Sequence, residues 1–319
     1  MVGKVNAPQA GLYFQLFKHA ATLYMTLPSF LIIGAMKSGT TTLFQDLATH
    51  PDVIDPLDKE PGDLKSDEVL SPHGLEAYQR RFSACKAGQQ TYEASTHYTQ
   101  RPRWAGAAAR ARTILGGDLR ILYIVREPVA RACSHHRHLV AAGQADTDIN
   151  AVVRDNPLLI QYSRYFMQLE PWLQAFDPGQ IKVIRFESYV ADRPSAAADV
   201  QAFLGLNPRP DLVRELSVGN ASDGKLMHTG ISKNIGQSWL YRNLIRPLIP
   251  AQFKRAAKQR LMRRTSGSVD GPRSDTIRLI LDATAEDTQR ISPLISPPLQ
   301  EGSLAWDEAT AMQLAQDSV

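Results

Sequence analysis

One segment near the N-terminus combines glycines, hydroxyl side chains and a lysine at spacings suited to binding an anion. Residues 34–42 are Gly-Ala-Met-Lys-Ser-Gly-Thr-Thr-Thr, directly after an apolar run and before a helical pattern. In a strand–loop–helix of this kind the backbone N–H groups converge, and the helix N-terminus adds partial positive charge. Gly34 and Gly39 let the backbone approach an anion closely. The segment therefore predicts a phosphate cradle.

The cradle differs from the nucleoside-triphosphate P-loop in the position of its lysine. The pattern G-x-x-x-x-G-K-[ST] has lysine directly after the second glycine. This chain has Thr40 at that position, and the lysine stands inside the loop as Lys37. The arrangement favours a single 5′-phosphate with a transferable group over a triphosphate. A tight turn without a ligand is the alternative, and the small and hydroxylated residues around one lysine argue against it.

A second candidate anion site follows another apolar run, Ile121–Val125. Arg126 stands where this predicted strand ends, and Pro128 starts a predicted helix that carries Ser134 nearly two turns along. Ligands of open α/β sheets bind at the carboxyl ends of strands. A guanidinium gives bidentate contacts to a phosphate, and a hydroxyl adds a donor. Arg126 and Ser134 therefore predict a site for another phosphate.

The elements that must position these residues alternate along the chain. Short apolar runs predict strands at 30–35, 53–54, 91–95, 121–125 and 182–187. Helical patterns lie at 41–49, 72–83, 102–115, 128–142, 157–176, 188–204 and 274–291, and an irregular tail follows at 293–306. Such alternation indicates βαβ units with right-handed crossovers. We predict an α/β fold, a P-loop-type three-layer sandwich with a central, mostly parallel sheet flanked by helices.

The composition is that of a globular protein. The chain has 319 residues, of which 43% are hydrophobic and 21% are charged, which excludes a disordered chain. Cys85 and Cys133 are the only cysteines, so no disulfide framework is predicted. Neither a secretory signal nor an apolar run of membrane-spanning length is present. We therefore expect a cytoplasmic protein, with an N-terminal helical segment at 1–29 and a single domain at 30–319.

Positive charge is concentrated late in the chain. Residues 224–269 hold ten of the 36 lysines and arginines and no aspartate or glutamate, within a chain of net charge +4. Such a segment indicates an anionic partner nearby, although a solvated amphipathic helix is the plainer explanation. Contact with a membrane surface through this basic helix is one interpretation. No nucleic-acid partner is expected.

Together these segments resemble the sulfotransferases that use 3′-phosphoadenosine 5′-phosphosulfate (PAPS), above all the heparan-sulfate type and its bacterial relatives. Residues 37–43 resemble the family's 5′-phosphosulfate loop, and Arg126 with Ser134 resembles its 3′-phosphate pair. Shorter matches follow in the family's order at 58–61, 92–98, 134–138, 220–222 and 304–306. The resemblance implies PAPS as donor, 3′,5′-ADP as product and no metal.

The resemblance also implies roles for individual residues. The residues expected to bind the cofactor are Lys37, Ser38, Gly39, Thr40, Thr41, Thr42, Arg126, Ser134, Lys225 and Lys233. Lys37 is expected to neutralise charge at the leaving oxygen. Glu60 is expected to be the general base, and His97 is the alternative base.

The histidines of one predicted helix raise the question of a metal site. His135, His136 and His138 do not share a single helical face, and Arg137 lies among them. We therefore predict a basic helix surface and no metal ligands at these positions. Cys133, in the same helix, is predicted to be a small buried residue rather than a nucleophile.

Two other functions are compatible with the sequence. A P-loop nucleotide or small-molecule kinase shares the architecture, although the displaced lysine and the Arg126–Ser134 pair favour the sulfotransferase. A non-catalytic binder of an anionic polymer or membrane surface, built on residues 224–269, is the other. The acceptor is left open between a glycan, a lipid and a small metabolite, through a hydroxyl or an amine. Near the acceptor, the family often has His-Phe-Phe where this chain has Gly62-Asp63-Leu64, and lysine where it has Ala94.

Overall fold

A computed structural model describes residues 26–213, 227–228, 262–263, 269–296, 306 and 308–316. Its strands are β1 (Phe30–Gly34), β2 (Val53–Ile54), β3 (Gln90–Ala94), β4 (Arg120–Val125), β5 (Ile181–Arg185), β6 (Met227–His228), β7 (Met262–Arg263) and β8 (Ile295–Ser296). Its α-helices are α1 (Thr40–Leu47), α2 (Pro72–Arg80), α3 (Ala107–Leu115), α4 (Pro128–Ala141), α5 (Ile149–Asp155), α6 (Leu158–Gln161), α7 (Tyr165–Ala175), α8 (Phe186–Ala191), α9 (Arg193–Phe203), α10 (Ser274–Ile291) and α11 (Glu308–Gln316).

Six strands form one sheet in the order β2-β3-β1-β4-β5-β8, and every neighbouring pair is parallel. The chain runs from β1 outward to β2 and β3, then crosses back to β4 on the other side of β1. The strand order therefore reverses between β1 and β4. In open α/β sheets, ligands bind outside the carboxyl ends of the strands at such a point. The predicted parallel α/β fold is confirmed.

The central strands are apolar because both faces of the sheet are covered. All five residues of β1 are buried, and neighbouring side chains point to opposite faces. Leu31 packs into one hydrophobic core and Ile32 into the other. Helices cover both faces, which gives the three predicted layers.

Two segments predicted as single helices are interrupted. Residues 157–176 form α6 and α7 because Ser163 between them is drawn into the core, where its Oγ accepts a hydrogen bond from Arg131 Nε at 2.5 Å. Residues 188–204 are divided at Asp192, whose side chain accepts a hydrogen bond from the Ser195 N–H and caps α9. Both interruptions depend on side-chain hydrogen bonds, which the spacing of apolar residues in the sequence does not predict.

The far edge of the sheet also differs from the prediction. β5 ends at Arg185, and Phe186 already begins α8, so the predicted strand 182–187 is too long by two residues at its end. The predicted irregular tail contains β8, which pairs with β5. Two residues are too few for a period-two pattern to show in the sequence.

Among the described residues, no helix combines the length and the apolar character that a membrane-spanning segment requires. The predicted segment 1–29 lies outside the described residues up to residue 25. Most of the basic region 224–269 lies outside them as well.

Candidate active site

The loop between β1 and α1 has a backbone that favours glycine. Gly34, Lys37 and Gly39 have φ angles of 147°, 69° and 91°. Gly39 occupies the N-cap of α1. A Cβ atom at Gly39 would lie 2.5 and 2.6 Å from two carbons of the Phe186 ring. Glycine is therefore required here both by its backbone angle and by the aromatic ring beside it.

Two hydroxyl side chains of this loop are enclosed. Ser38 is fully buried, and among the described residues its Oγ forms no hydrogen bond of regular geometry, although it interacts with the Tyr165 hydroxyl. Thr40, the first residue of α1, is also buried. The first N–H groups of a helix lack partners within the helix, and a buried hydroxyl without a hydrogen bond is unfavourable. A phosphate bound in the loop would accept hydrogen bonds from both, so these residues fit the 5′-phosphate of the predicted donor.

A second lysine reaches the start of α1. Lys59 Nζ donates a hydrogen bond to Thr41 Oγ1 at 2.7 Å and lies 5.7 Å from the centre of the Phe44 ring. Lys59 belongs to the matched segment 58–61, but its contact with the loop was not predicted, because the contact spans 18 residues. Thr41 is exposed and Thr42 is half-buried on the same turn.

Lys37 lies within electrostatic reach of α4. The pKa of His135 is lowered to about 3, chiefly by burial and then by nearby positive charges that include Arg131 and Lys37. The Lys37 charge therefore lies close enough to α4 to act on His135, while Lys59 contacts the start of α1.

The predicted 3′-phosphate pair lies at the same edge of the sheet. Arg126 follows β4 directly, and its guanidinium carbon is 4.8 Å from the centre of the Phe186 ring. Tyr165 OH donates a hydrogen bond to the Arg126 carbonyl at 2.6 Å. Ser134 is buried in the second turn of α4. Phe186, beside both Gly39 and Arg126, joins the two anion sites. Sequence reasoning missed it because it was read as a strand residue.

Glu127 fixes the start of α4. Its carboxylate accepts hydrogen bonds from the Val129 and Ala130 N–H groups at 2.8 and 2.6 Å. Burial raises the pKa of Glu127 to about 7, against the lowering effect of these two hydrogen bonds. The Glu127 N–H in turn donates to Glu187 Oε1 at 2.8 Å. This cap holds Arg126, one residue earlier, in a fixed position.

The two candidate bases lie near each other. Glu60 has a φ angle of 57°, in the left-handed region. His97 lies in a 3₁₀ turn directly after β3, and its Nδ1 is buried without a partner among the described residues. Burial lowers the pKa of His97, Lys65 adds to this effect, and Glu60 opposes it. His97 is therefore neutral at physiological pH and able to accept a proton.

The turn that carries His97 adjoins the anion loop. Gln100 Nε2, at the end of that turn, is 3.5 Å from Met36 Sδ in the loop. Thr99 Oγ1 donates a hydrogen bond to the Ile33 carbonyl at 3.0 Å. The candidate bases and the phosphate cradle therefore border the same end of the sheet, although they come from different elements.

A basic and aromatic cluster lies beside His97. Lys65 Nζ is 5.5 Å and Arg103 Cζ is 5.4 Å from the centre of the Trp104 ring, and the His97 ring meets that indole edge-on at 6.2 Å. Within the described residues, neither Lys65 nor Arg103 forms an ion pair with a carboxylate. The cluster thus leaves positive charge next to the candidate bases.

The remaining predicted residues have separate outcomes. Lys225 and Lys233 lie outside the described residues. The prediction of a basic surface at the α4 histidines was wrong for two of them, since His135 and His136 are buried and burial lowers the pKa of each. Cys133 is buried as predicted. Among the described residues, no group of three or more His, Cys, Asp and Glu side chains is arranged to hold a metal ion.

Comparison with protein families identifies one domain. A family model described as "Sulfotransferase domain" matches residues 27–265, about three quarters of the chain. The match includes both anion sites, the candidate bases and most of the basic region.

Individual relatives agree with this match. The chain is 31% identical over 199 residues to heparan sulfate glucosamine 3-O-sulfotransferase 3B1 of Mus musculus, covering 56% of this chain and 46% of the relative. It is 26% identical over 203 residues to heparan sulfate glucosamine 3-O-sulfotransferase 5 of Mus musculus, covering 60% and 57%. The chain spans about half the length of the curated relatives that it matches. A solved sulfotransferase from Alicyclobacillus acidocaldarius is 28% identical, with a TM-score of 0.51, over 60% of this chain and 87% of that one.

Proposed function

Since this chain belongs to the sulfotransferase domain family, we propose that it transfers a sulfuryl group from PAPS to a hydroxyl or amine of an acceptor. The observation that carries the proposal is the loop after β1. It places a fully buried Ser38 hydroxyl, which has no hydrogen bond of regular geometry among the described residues, at the N-terminus of α1, with a lysine inside the loop and Arg126 at the end of the adjacent strand. This set suits a nucleotide with a 5′-phosphosulfate and a separate 3′-phosphate.

On the donor side, the residues of this chain bind and neutralise charge. When bound, PAPS supplies a sulfuryl group on a good leaving group, the 3′,5′-bisphosphate. Ser38, Thr40 and the α1 N-terminus would hold the 5′-phosphate, and Arg126 with Ser134 the 3′-phosphate. Lys37 and Lys59 would offset the negative charge that develops on the leaving oxygen.

The reaction proposed here needs no metal. A sulfuryl group carries less negative charge than a phosphoryl chain, and the loop that would hold it contains Lys37 and leads into α1, where Lys59 contacts Thr41. Turnover that is unchanged by EDTA is the expected result, and loss of turnover restored by added Mg²⁺ would contradict the proposal.

On the acceptor side, a base must remove the proton of the attacking group. Glu60 is our candidate, and His97 is the alternative because its lowered pKa leaves it neutral. Such a base contributes about 10²–10⁴-fold to a rate. Comparing Glu60→Gln with His97→Gln distinguishes the two, since only loss of the true base lowers the rate by that factor.

The acceptor itself carries an acidic group in our proposal. Lys65 and Arg103 lie against Trp104 beside His97, without a carboxylate partner among the described residues. An acceptor with a carboxylate or sulfate near its reactive hydroxyl would pair with these cations while a ring of the acceptor packs on the indole. The curated relatives are named for heparan sulfate glucosamine, a glycan that fits this description.

A matched pair of acceptors tests this point. Methyl glucuronide and methyl glucoside differ by a carboxylate, and the formation of 3′,5′-ADP from PAPS reports the use of each. We expect faster product formation with the glucuronide and loss of that preference in Lys65→Gln. Lys86→Gln, at an exposed position before β3, whereas His97 follows that strand, is the control. Equal rates with both sugars would contradict an acidic acceptor.

The test of the donor needs no acceptor. Calorimetric titration with 3′,5′-ADP and with 5′-ADP, without Mg²⁺, measures whether the 3′-phosphate is recognised. We expect tight binding of 3′,5′-ADP alone. Arg126→Ala should raise its Kd by about 10- to 150-fold, the equivalent of a lost charged hydrogen bond of about 1.5–3 kcal/mol.

β4 offers a matched control for that variant. Arg120 stands at the opposite end of the strand and also lies on a phenylalanine, 5.3 Å from the Phe203 ring centre. Arg120→Ala should leave the Kd unchanged. Equal binding of both nucleotides, or preferential binding of ATP with Mg²⁺, would overturn the sulfotransferase proposal in favour of a kinase.

A further inference from the structure

The segment Asp58–Asp63 carries two candidate active-site residues, Lys59 and Glu60, and the backbone of Glu60 is in an unfavourable conformation. Glu60 and Gly62 have φ angles of 57° and 70°, and a non-glycine residue in the left-handed region persists only when its surroundings impose it. Lys59 and Glu60 are adjacent in this segment. The position of both therefore depends on what holds the segment.

One guanidinium holds both ends of the segment. Arg81 Nη1 is 2.5 Å from Asp58 Oδ2, and Arg81 Nε is 3.0 Å from Asp63 Oδ2. The Arg81 carbonyl also accepts a hydrogen bond from the Leu57 N–H at 2.9 Å. The Arg81 and Asp63 side chains are 28% and 17% exposed, so solvent screens their ion pair only partly, whereas Asp58 is 60% exposed and its ion pair is screened more strongly. Arg81 directly follows α2 and closes the segment into a loop.

Hydrogen bonds anchor the base of this loop. The Gly62 N–H donates to Ser95 Oγ at 3.0 Å, and the Leu64 N–H donates to Tyr98 OH at 3.1 Å. Tyr98 OH in turn donates to the fully buried Glu93. Because the base of the loop is anchored to β3 and the turn after it, the Arg81 ion pairs determine where its tip lies.

We propose that Arg81 is a positioning residue for sulfuryl transfer: its ion pairs with Asp58 and Asp63 hold Glu60 at the acceptor, while Lys59 keeps its own hydrogen bond to Thr41. This inference rests on the proposed function. Without these ion pairs the segment relaxes toward ordinary φ angles, and Glu60 moves away from the acceptor. A displacement of about 1 Å in a reacting group costs up to about 100-fold in rate.

PAPS breakdown with water as the acceptor measures the effect in the full-length chain. The water oxygen bonds to sulfur, the bond between sulfur and the bridging phosphate oxygen breaks, the base takes the water proton, and 3′,5′-ADP and sulfate form. We expect Arg81→Ala to lower kcat by about 10- to 100-fold, with KM for PAPS and Kd for 3′,5′-ADP within about twofold of the parent chain. Arg81→Lys, which keeps one ion pair, should recover part of the rate.

The neighbouring arginine provides the control. Arg80 is 61% exposed and pairs only with Glu76 on its own helix within the described residues, so Arg80→Ala should leave kcat unchanged. Asp58→Asn removes one ion pair at an exposed position and should lower kcat less than Arg81→Ala does. Such a graded loss distinguishes a positioning role from a folding defect. Equal kcat in Arg80→Ala and Arg81→Ala would overturn the inference.

A double-mutant cycle tests whether Arg81 acts through Glu60. If it does, Arg81→Ala combined with Glu60→Gln is about as slow as Glu60→Gln alone. Multiplied losses, or a Glu60→Gln variant as fast as the parent chain, would overturn the inference while 3′,5′-ADP binding still supports the proposed function. Failure of the parent chain to bind 3′,5′-ADP would instead remove the proposed function itself.

Discussion

The substitution Gly39→Ala tests whether the anion loop is constrained as the structure indicates. Its added Cβ would lie 2.5 and 2.6 Å from carbons of Phe186, closer than any stable contact, at a φ angle of 91°. The left-handed backbone costs an L-residue about 1–2 kcal/mol, and overpacking costs about 1–3 kcal/mol more. We therefore expect a loss of about 2–5 kcal/mol in the free energy of unfolding, measured by urea denaturation.

Gly88 separates the two contributions. Its φ angle is 83°, but a Cβ there meets nothing within 4 Å, so Gly88→Ala should lose only the backbone part, about 1–2 kcal/mol. In a Phe186→Ala background, Gly39→Ala should cost no more than Gly88→Ala, because the ring is gone. Displacement of Phe186 also moves Arg126, so the Kd for 3′,5′-ADP should rise about tenfold in Gly39→Ala and stay unchanged in Gly88→Ala. Equal destabilisation by both glycine substitutions would refute the steric reasoning.

Three further predictions concern buried polar groups. Arg193 Nη2 is 2.5 Å from the buried Asp46 carboxylate, so Arg193→Ala should lower the free energy of unfolding by about 3–5 kcal/mol in urea denaturation; a loss under about 1 kcal/mol would contradict this. The pKa of His135 is lowered from 6.5 to about 3, chiefly by burial. As the pH falls, His135 therefore binds a proton in the unfolded chain before it does so in the folded protein. The free energy of unfolding should then decrease between about pH 6.5 and pH 3, by up to about 1.4 kcal/mol per pH unit. His135→Phe should flatten that slope relative to the parent chain at each pH, and an unchanged slope would count against a neutral His135; Glu127, with its pKa raised from 4.5 to about 7, acts in the opposite direction in both proteins. Ser38→Ala removes a buried hydroxyl that has no hydrogen bond of regular geometry among the described residues, so the free energy of unfolding should change little. Calorimetry should show weaker binding of 3′,5′-ADP, and unchanged affinity would exclude Ser38 from the site.

The placement of the candidate donor residues in the fold was predictable because it follows from local patterns in the sequence. Gly34, Ser38 and Gly39 occupy a single strand–loop–helix, whose pattern alone predicts an anion cradle. Arg126 was placed at the sheet edge by the strand before it and by Pro128 after it. The fold followed from the same alternation of strands and helices, and the parallel sheet confirms it.

The acceptor half was not predictable in the same way, because long-range contacts build it. The Lys59–Thr41 hydrogen bond spans 18 residues, the Arg81–Asp58 pair 23, and the Gly62–Ser95 hydrogen bond 33. No periodic pattern encodes such contacts, since each depends on the tertiary packing of separate elements. Phe186 was missed for a related reason: its apolar character fits a strand, and only the fold shows that it begins α8 between Gly39 and Arg126.

The candidate donor and acceptor residues lie on different parts of the fold, which bears on the specificity for the acceptor. The residues proposed to bind the donor directly follow the central strands β1 and β4 or lie on the helices after them, and these strands are buried and intolerant of change. The candidate acceptor residues lie on segments that the core does not fix directly: Glu60 on a loop tied by Arg81, and Lys65, Arg103 and Trp104 at the surface. Substitutions at Lys65 or Arg103 can therefore alter the choice of acceptor without disturbing the nucleotide site. If instead Lys65→Gln weakened 3′,5′-ADP binding as much as Arg126→Ala does, the two halves would be energetically coupled, and this separation of donor and acceptor would be wrong.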